Sequence, residues 1–172
     1  MHRLQVPRGA PPLIGEEQAA TARNSSTGPF LLAALVVLLD QLTKAWATSA
    51  LSDGPVQVIG DLLRFRLTRN PGGAFSLLTG LTPVLALVAA AMAVVIVRTT
   101  RRTTDRVMAS SLALVRGGAV GNLADRLVRS PGFLRGEVVD FIKLPYWPTF
   151  NLADSAITVG VVLLVLRGWR SP

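Results

Sequence analysis

Hydrophobic residues in this chain gather into long runs, separated by short breaks rich in polar residues, glycine and proline. Four runs stand out, over about 29–50, 83–97, 107–127 and 151–166. About 20 apolar residues in a helix cross a bilayer, and shorter runs cross where the helix extends into the interface. Between the first two runs the pattern changes. Val56-Gln57-Val58 and Leu63-Arg64-Phe65-Arg66-Leu67 alternate with period two, which predicts short strands, and Asp53-Gly54-Pro55 is a turn signal. Val138-Val139-Asp140-Phe141-Ile142 is too short to span and reads as part of a connecting segment outside the membrane. The expected fold is a mainly α membrane protein, with four transmembrane helices and a small extracytoplasmic β-sheet over about 51–78. Residues 1–28, with Pro7, Pro11, Pro12 and the Ser25-Ser26-Thr27-Gly28-Pro29 break, read as a disordered tail, and 29–168 as one membrane-embedded domain.

Charge fixes the expected orientation. Only 16% of the 172 residues are charged, yet the formal net charge is +8. The cations flank the apolar runs, as membrane topology requires, so nucleic acid is not an expected partner. Arg98, Arg101, Arg102 and Arg106 form the densest short basic loop, which places that loop in the cytoplasm. With four spans both termini are then cytoplasmic, in agreement with Arg3, Arg8, Arg23, Arg167 and Arg170. Asp40 and Lys44 inside the first run argue against a cleaved signal peptide. The chain has no cysteine, and its one histidine, His2, lies in the tail. Thiol nucleophiles, Ser-His-Asp chemistry and thiolate or histidine metal sites are thereby excluded, and no cofactor is expected.

Against this background the acids inside or beside apolar runs carry the information. A carboxylate at a helix centre costs roughly 2.5–3.5 kcal/mol on insertion scales, so such acids face the bundle interior and find partners there. Asp40 and Lys44 lie four apart in the order that favours pairing. Asp125 sits near a helix C-terminus, where the macrodipole opposes it; Lys44 is a better candidate partner than the adjacent Arg126, which lies on another face. Gly117, Gly118, Ala119 and Gly121 offer a small-residue surface for close helix packing. Asp140 stands between Val139 and Phe141, and Asp154 opens the last apolar run. Two readings of this pair stay open on these residues alone. Asn151 and Asp154 form a helix cap and Asp140 is a loop residue, or the two carboxyl groups share one proton and activate a water. With the third helix ending outside and the fourth beginning there, Lys44, Asn122, Asp125, Arg126, Asp140, Asn151 and Asp154 all fall near the outer side of the bilayer. Pro145-Tyr146-Trp147-Pro148 reads as an interfacial aromatic anchor.

Five motifs, in this order, resemble those of lipoprotein signal peptidase, the signal peptidase II family: Asp40-Gln-Leu-Thr-Lys44, Asn70-Pro-Gly-Gly-Ala-Phe75, Gly117-Gly-Ala-Val-Gly-Asn122-Leu-Ala-Asp125-Arg126, Val138-Val-Asp140-Phe141 and Phe150-Asn151-Leu-Ala-Asp154-Ser155. The resemblance implies an aspartyl endopeptidase of the bacterial cytoplasmic (inner) membrane, a monomer, with its site near the outer face. It would remove signal peptides from diacylglyceryl-modified prolipoproteins just before the lipidated cysteine, in contact with membrane lipids, and globomycin-type inhibitors would block it. Carried over motif by motif, Asp140 and Asp154 take the catalytic positions. Asn70, Gly118, Asn122, Arg126 and Asn151 take supporting and substrate-contact positions, and Asp40, Lys44 and Asp125 take structural polar ones. Arg116 departs from the pattern, since an aliphatic residue is usual before the Gly-Gly; pointing toward Asp40 or another interior acid would offset its cost.

Two rivals make different demands. A Ser–Lys peptidase would use Ser76 or Ser155 with Lys44. A small intramembrane ion or proton carrier would need polar residues through the full thickness of the bilayer, and the second apolar run has none.

Overall fold

The computed structural model describes residues 14–71 and 105–169, and positions 84, 87 and 91 between them. In chain order the elements are α1 (Ile14–Ala50), β1 (Val56–Ile59), β2 (Leu63–Asn70), α2 (Arg106–Val128), β3 (Val138–Lys143) and α3 (Leu152–Trp169). Among the described residues, three stretches are helical, long and apolar enough to cross a membrane, Thr27–Ala50, Arg106–Val128 and Leu152–Trp169. Most of the expected span over 83–97, the Gly72-Gly73-Ala74-Phe75 turn, Ser76, residues 98–102 and 1–13 lie outside the described residues. Within the span, Val84, Leu87 and Ala91 are helical and exposed.

The distribution of polarity is that of a protein turned toward lipid. Leu31, Leu35, Leu38 and Leu42 on α1, and Val161 and Val165 on α3, are exposed, whereas Asp40, Lys44 and Asp125 are fully buried. In hydrocarbon an ion has only the protein interior in which to find partners, so the bundle core collects them.

Helix α2 runs beside both other helices, and its glycines set the spacing. A methyl group at Gly117 would lie 2.7 Å from the Val36 Cβ, and one at Gly121 would lie 2.6 Å from an Asp40 carboxylate oxygen. One at Gly118 would collide with the Ala153 carbonyl oxygen, and one at Gly160 would meet the Ser111 carbonyl oxygen at 2.7 Å. The small-residue face is therefore a packing face, as expected. These contacts also give direction. Moving along α2 from Gly117 to Gly121, the neighbours on α1 advance from Ala33 and Val36 to Asp40, so α1 and α2 run parallel. α2 and α3 run antiparallel: Gly118 meets Ala153, while Gly160 meets Ser111. The far end of that pair is tied by Arg167 Nε, 2.6 Å from Asp105 Oδ2, with Asp105 capping α2 by accepting from the Met108 N–H at 3.0 Å.

The strands form one antiparallel sheet in the order β1-β2-β3. Strands β1 and β2 match the alternating segments read from sequence. The third strand, β3, is the correction: it lies in the segment expected to be a connection. Its first four residues are all buried, so the in–out alternation that announces a half-exposed strand is absent. The sheet rests on the C-terminal end of α1 through an aromatic triangle of Trp46, Phe65 and Phe141, with ring centroids 5.4, 6.0 and 6.1 Å apart.

Two further differences concern the helices. α1 begins at Ile14, so residues 14–28 are helical rather than an irregular tail; Glu16, Glu17, Gln18, Ala19 and Ala20 are good helix formers. Arg116 does not turn toward Asp40. Its guanidinium lies over the Phe30 ring, 5.4 Å from the centroid, and Phe30 is about 15 Å along α1 from Asp40 at the helical rise. Helical side chains tilt toward their N-terminus, and a long cationic stem can follow that tilt out of the core.

Candidate active site

The polar residues meet where the C-terminal halves of α1 and α2, the strand β3 and the first turn of α3 converge. Asp140 comes from β3, opposite Thr68 on β2. Asn70, two residues further along the same face of β2, donates from Nδ2 to Asp140 Oδ2 at 3.0 Å. After β3 the chain turns back, and Phe150 pairs with Ile142: its carbonyl accepts from the N–H groups of Phe141 and Ile142 at 3.0 and 2.8 Å. That return delivers Asn151 and the start of α3 beside Asp140.

The helix cap of the first reading is present, but Asp140 is a strand residue and not a loop one. Asn151 caps α3, its Oδ1 accepting from the Asp154 N–H at 2.9 Å, and Asp154 Oδ2 accepts from the Asn151 N–H at 3.3 Å. The other end of the Asn151 amide donates to Asp140 Oδ1 at 2.7 Å. One residue thus holds both carboxyl groups. The other oxygen of Asp154, Oδ1, accepts from Asn122 Nδ2 at 2.8 Å.

A second layer lies behind this pair. Lys44 Nζ is 2.8 Å from Asp40 Oδ2, 2.9 Å from Asp125 Oδ2 and 2.9 Å from Asn122 Oδ1. The expected Lys44–Asp125 partnership is present. Arg126 is buried, donates from Nη1 to the Asn122 carbonyl at 3.3 Å, and keeps Nε without a hydrogen-bond partner among the described residues. Gly118 lies against the backbone of Ala153. Two participants escaped the sequence reading. Gln41 Nε2 lies 3.2 Å from Asp40 Oδ2, 3.2 Å from Asp125 Oδ1 and 3.1 Å from the Gly121 carbonyl; Arg129 Nε donates to Asp125 Oδ1 at 2.8 Å. Helical spacing carries the signal for both: Gln41 falls three before Lys44, and Arg129 four after Asp125.

The electrostatics separate Asp140 from an ordinary carboxylate. Asp140 is 2% exposed. Burial pushes its pKa up to about 7, and the charge of Asp154 pushes in the same direction, against hydrogen bonds from Asn70 and Asn151 and the charge of Lys44. A carboxyl group that titrates near neutrality beside a second carboxylate is suited to general acid–base work on water. The Ser–Lys rival fares worse. Ser155 Oγ donates to the Asn151 carbonyl at 2.9 Å, and the Lys44 ammonium is engaged by three acceptors.

Helices of membrane length around a buried, acid-rich polar site define a membrane enzyme, and comparison with known proteins makes the class specific. Two solved bacterial membrane enzymes, determined by the in meso method at 2.3 and 1.9 Å resolution, superpose with TM-scores of 0.75 and 0.74. Each is 29% identical to the chain; the matches cover 83% and 84% of it, and 88% and 94% of theirs. The family model described as signal peptidase (SPase) II matches residues 32–170. The lipoprotein signal peptidase of Rhodococcus jostii is 47% identical over 138 residues, which is 80% of this chain and 70% of that protein. That of Mycolicibacterium smegmatis is 48% identical over 78% of this chain and 57% of its own length. That of Mycobacterium tuberculosis H37Rv is 44% identical over 91% of this chain and 82% of its own. The chain belongs to the signal peptidase II family, whose members are membrane aspartic peptidases.

Proposed function

We propose that this protein removes signal peptides from diacylglyceryl-modified prolipoproteins, cutting just before the lipidated cysteine, with Asp140 and Asp154 as the pair that activates water. The observation that carries the reading is the grip of Asn151 on both carboxyl groups, in a chain of this family. One carboxylate takes a proton from a water between them, and the oxygen attacks the scissile carbonyl carbon. The other carboxyl group protonates the carbonyl oxygen. Collapse of the tetrahedral intermediate then passes a proton to the leaving nitrogen. The two titrate as a pair, so acid and base are roles of the dyad. Arg126, with Nε buried and unpartnered among the described residues, and Asn70 take the substrate backbone.

The domain is a single membrane-embedded unit over 29–168 with four spans. Its first and third spans are parallel neighbours, so the chain between them must return across the bilayer; the run 83–97, helical at its described positions, supplies that return. By the cationic flanks both termini lie in the cytoplasm. The parallel C-terminal ends of α1 and α2, and with them the site, then lie at the outer face. The substrate's acyl chains rest in lipid against the exposed leucines and valines, while its peptide passes beneath the sheet.

The test is incubation of the purified protein with a diacylglyceryl-modified lipobox peptide, the same peptide without lipid, and globomycin. Cleavage on the amino side of the modified cysteine, dependent on the lipid and blocked by globomycin, is expected. Equal cleavage of the unmodified peptide, or proton flux in liposomes without any cleavage, would overturn the reading.

A further inference from the structure

Lys44 stands at the junction of two buried acids, and no step of the proposed chemistry uses it. Its side chain is fully buried. An ammonium has three donors and no acceptor, and Asp40, Asp125 and Asn122 take one each, at 2.8, 2.9 and 2.9 Å. Each partner in turn reaches one step further. Asp40 Oδ1 accepts from the N–H of Ala153 at 3.0 Å. Asp125 Oδ2 accepts from the N–H of Val139 at 3.2 Å. Ala153 and Val139 are the residues immediately before Asp154 and Asp140. The two acids therefore grip the backbone at equivalent points on α3 and β3, and one lysine joins them.

The third branch sets an orientation. Because an ammonium only donates, the amide of Asn122 must turn its oxygen to Lys44, which leaves its NH2 group for Asp154 Oδ1 at 2.8 Å. Asn151 Nδ2 also donates to that oxygen, at 3.2 Å, so Lys44 is the shorter of the two donors that hold the amide in this orientation. A buried ion pair that served stability alone could often be exchanged for apolar residues at little cost; it would not need to end on the backbone ahead of each carboxylate.

We infer that Lys44 is a positioning residue for the dyad: it orients the Asn122 amide toward Asp154 and, through Asp40 and Asp125, fixes the backbone that carries both aspartates. The inference rests on the assignment of Asp140 and Asp154 as the water-activating pair.

The test is a double-mutant cycle in a charge-balanced background, since Lys44→Met alone would leave buried Asp40 without its cation, while Asp125 keeps Arg129. Asp40→Asn keeps an acceptor for the Ala153 N–H and serves as the reference. From D40N to D40N/K44M, kcat on the lipidated peptide should fall by about tenfold or more, with KM within about threefold. Asn122→Ala should cost about tenfold or more in D40N, but less than about threefold once Lys44 is gone, because the lysine acts through that amide. A kcat within about twofold of D40N, or two losses that simply multiply, overturns the inference. If D40N/K44M does not fold, D40N/K44L carries the same cycle, and failure of both to fold also overturns it, because Asp125 keeps Arg129 in each. Asp140→Asn run alongside separates the two claims: an active D140N removes the dyad assignment, whereas an inactive D140N beside a fully active D40N/K44M removes only the role of Lys44.

Discussion

Asp140 illustrates how much a single residue's setting contributes. Its two oxygens accept from two different amides, and burial and its acidic neighbour hold its pKa near 7. In the proposed mechanism the pair must keep one proton, so activity falls as pH rises through that region and the second proton leaves. The hydrogen bond from Asn70 stabilises the charged form and pulls the value down. Removing it in Asn70→Ala pushes the value up, so the alkaline limb of the kcat/KM profile should move to higher pH; a limb unmoved or moved to lower pH contradicts the assignment. At this scale the sequence was informative where chemistry is costly. Charges inside apolar runs had to be partnered, and Asp40, Lys44 and Asp125 are. It was silent where a side chain carries no penalty of its own: Gln41, uncharged and beside the conspicuous Asp40, bridges both buried acids. The spacing of Asn151 and Asp154 posed a choice between a helix cap and a catalytic carboxylate. The geometry shows the cap, and in the proposed mechanism the cap presents the carboxylate.

Among the elements, α2 is the one whose substitution should be felt most widely. Gly118→Ala puts a methyl group into the Ala153 carbonyl, and helix α3, with Asp154, must move. Overpacking of this kind costs about 1–3 kcal/mol, and thermal unfolding in detergent should show that loss together with a lower kcat. Gly168→Ala, with nothing within 4 Å of the added carbon, should change neither. The opposite end of the bundle offers a contrast. Asp105→Ala removes the cap of α2 and the partner of Arg167, so the thermal midpoint should fall while kcat of the folded protein stays unchanged. Element boundaries were legible where apolar runs begin and end at charges. The strand β3 was not, because burial of successive residues on both faces erased its period, and its partners on β2 lie about seventy residues away in the chain, beyond any local pattern. Before Pro29, polar composition points to an irregular tail, whereas local propensity favours the helix that begins at Ile14.

At the scale of the whole molecule, the parallel run of α1 and α2 and the cationic flanks lead to one topology. The absence of cysteine makes it directly testable. A single cysteine at Tyr146, fully exposed in the loop before α3, should react with a membrane-impermeant maleimide on intact cells or spheroplasts. One at Trp169, exposed at the end of α3, should react only after permeabilisation, and the reverse pattern would invert the orientation. Family membership is established by the match over residues 32–170, while the division of labour within the site is the account's own claim. The measurement that bears on it most directly is cleavage of a diacylglyceryl-modified lipobox peptide by the wild-type protein and by Asp140→Asn and Asp154→Asn, each checked for membrane insertion and an intact thermal transition. Both variants should insert and unfold as the parent does, and both should lose cleavage by about three orders of magnitude or more. Cleavage by either variant at a rate near that of the parent would contradict the pairing of Asp140 with Asp154.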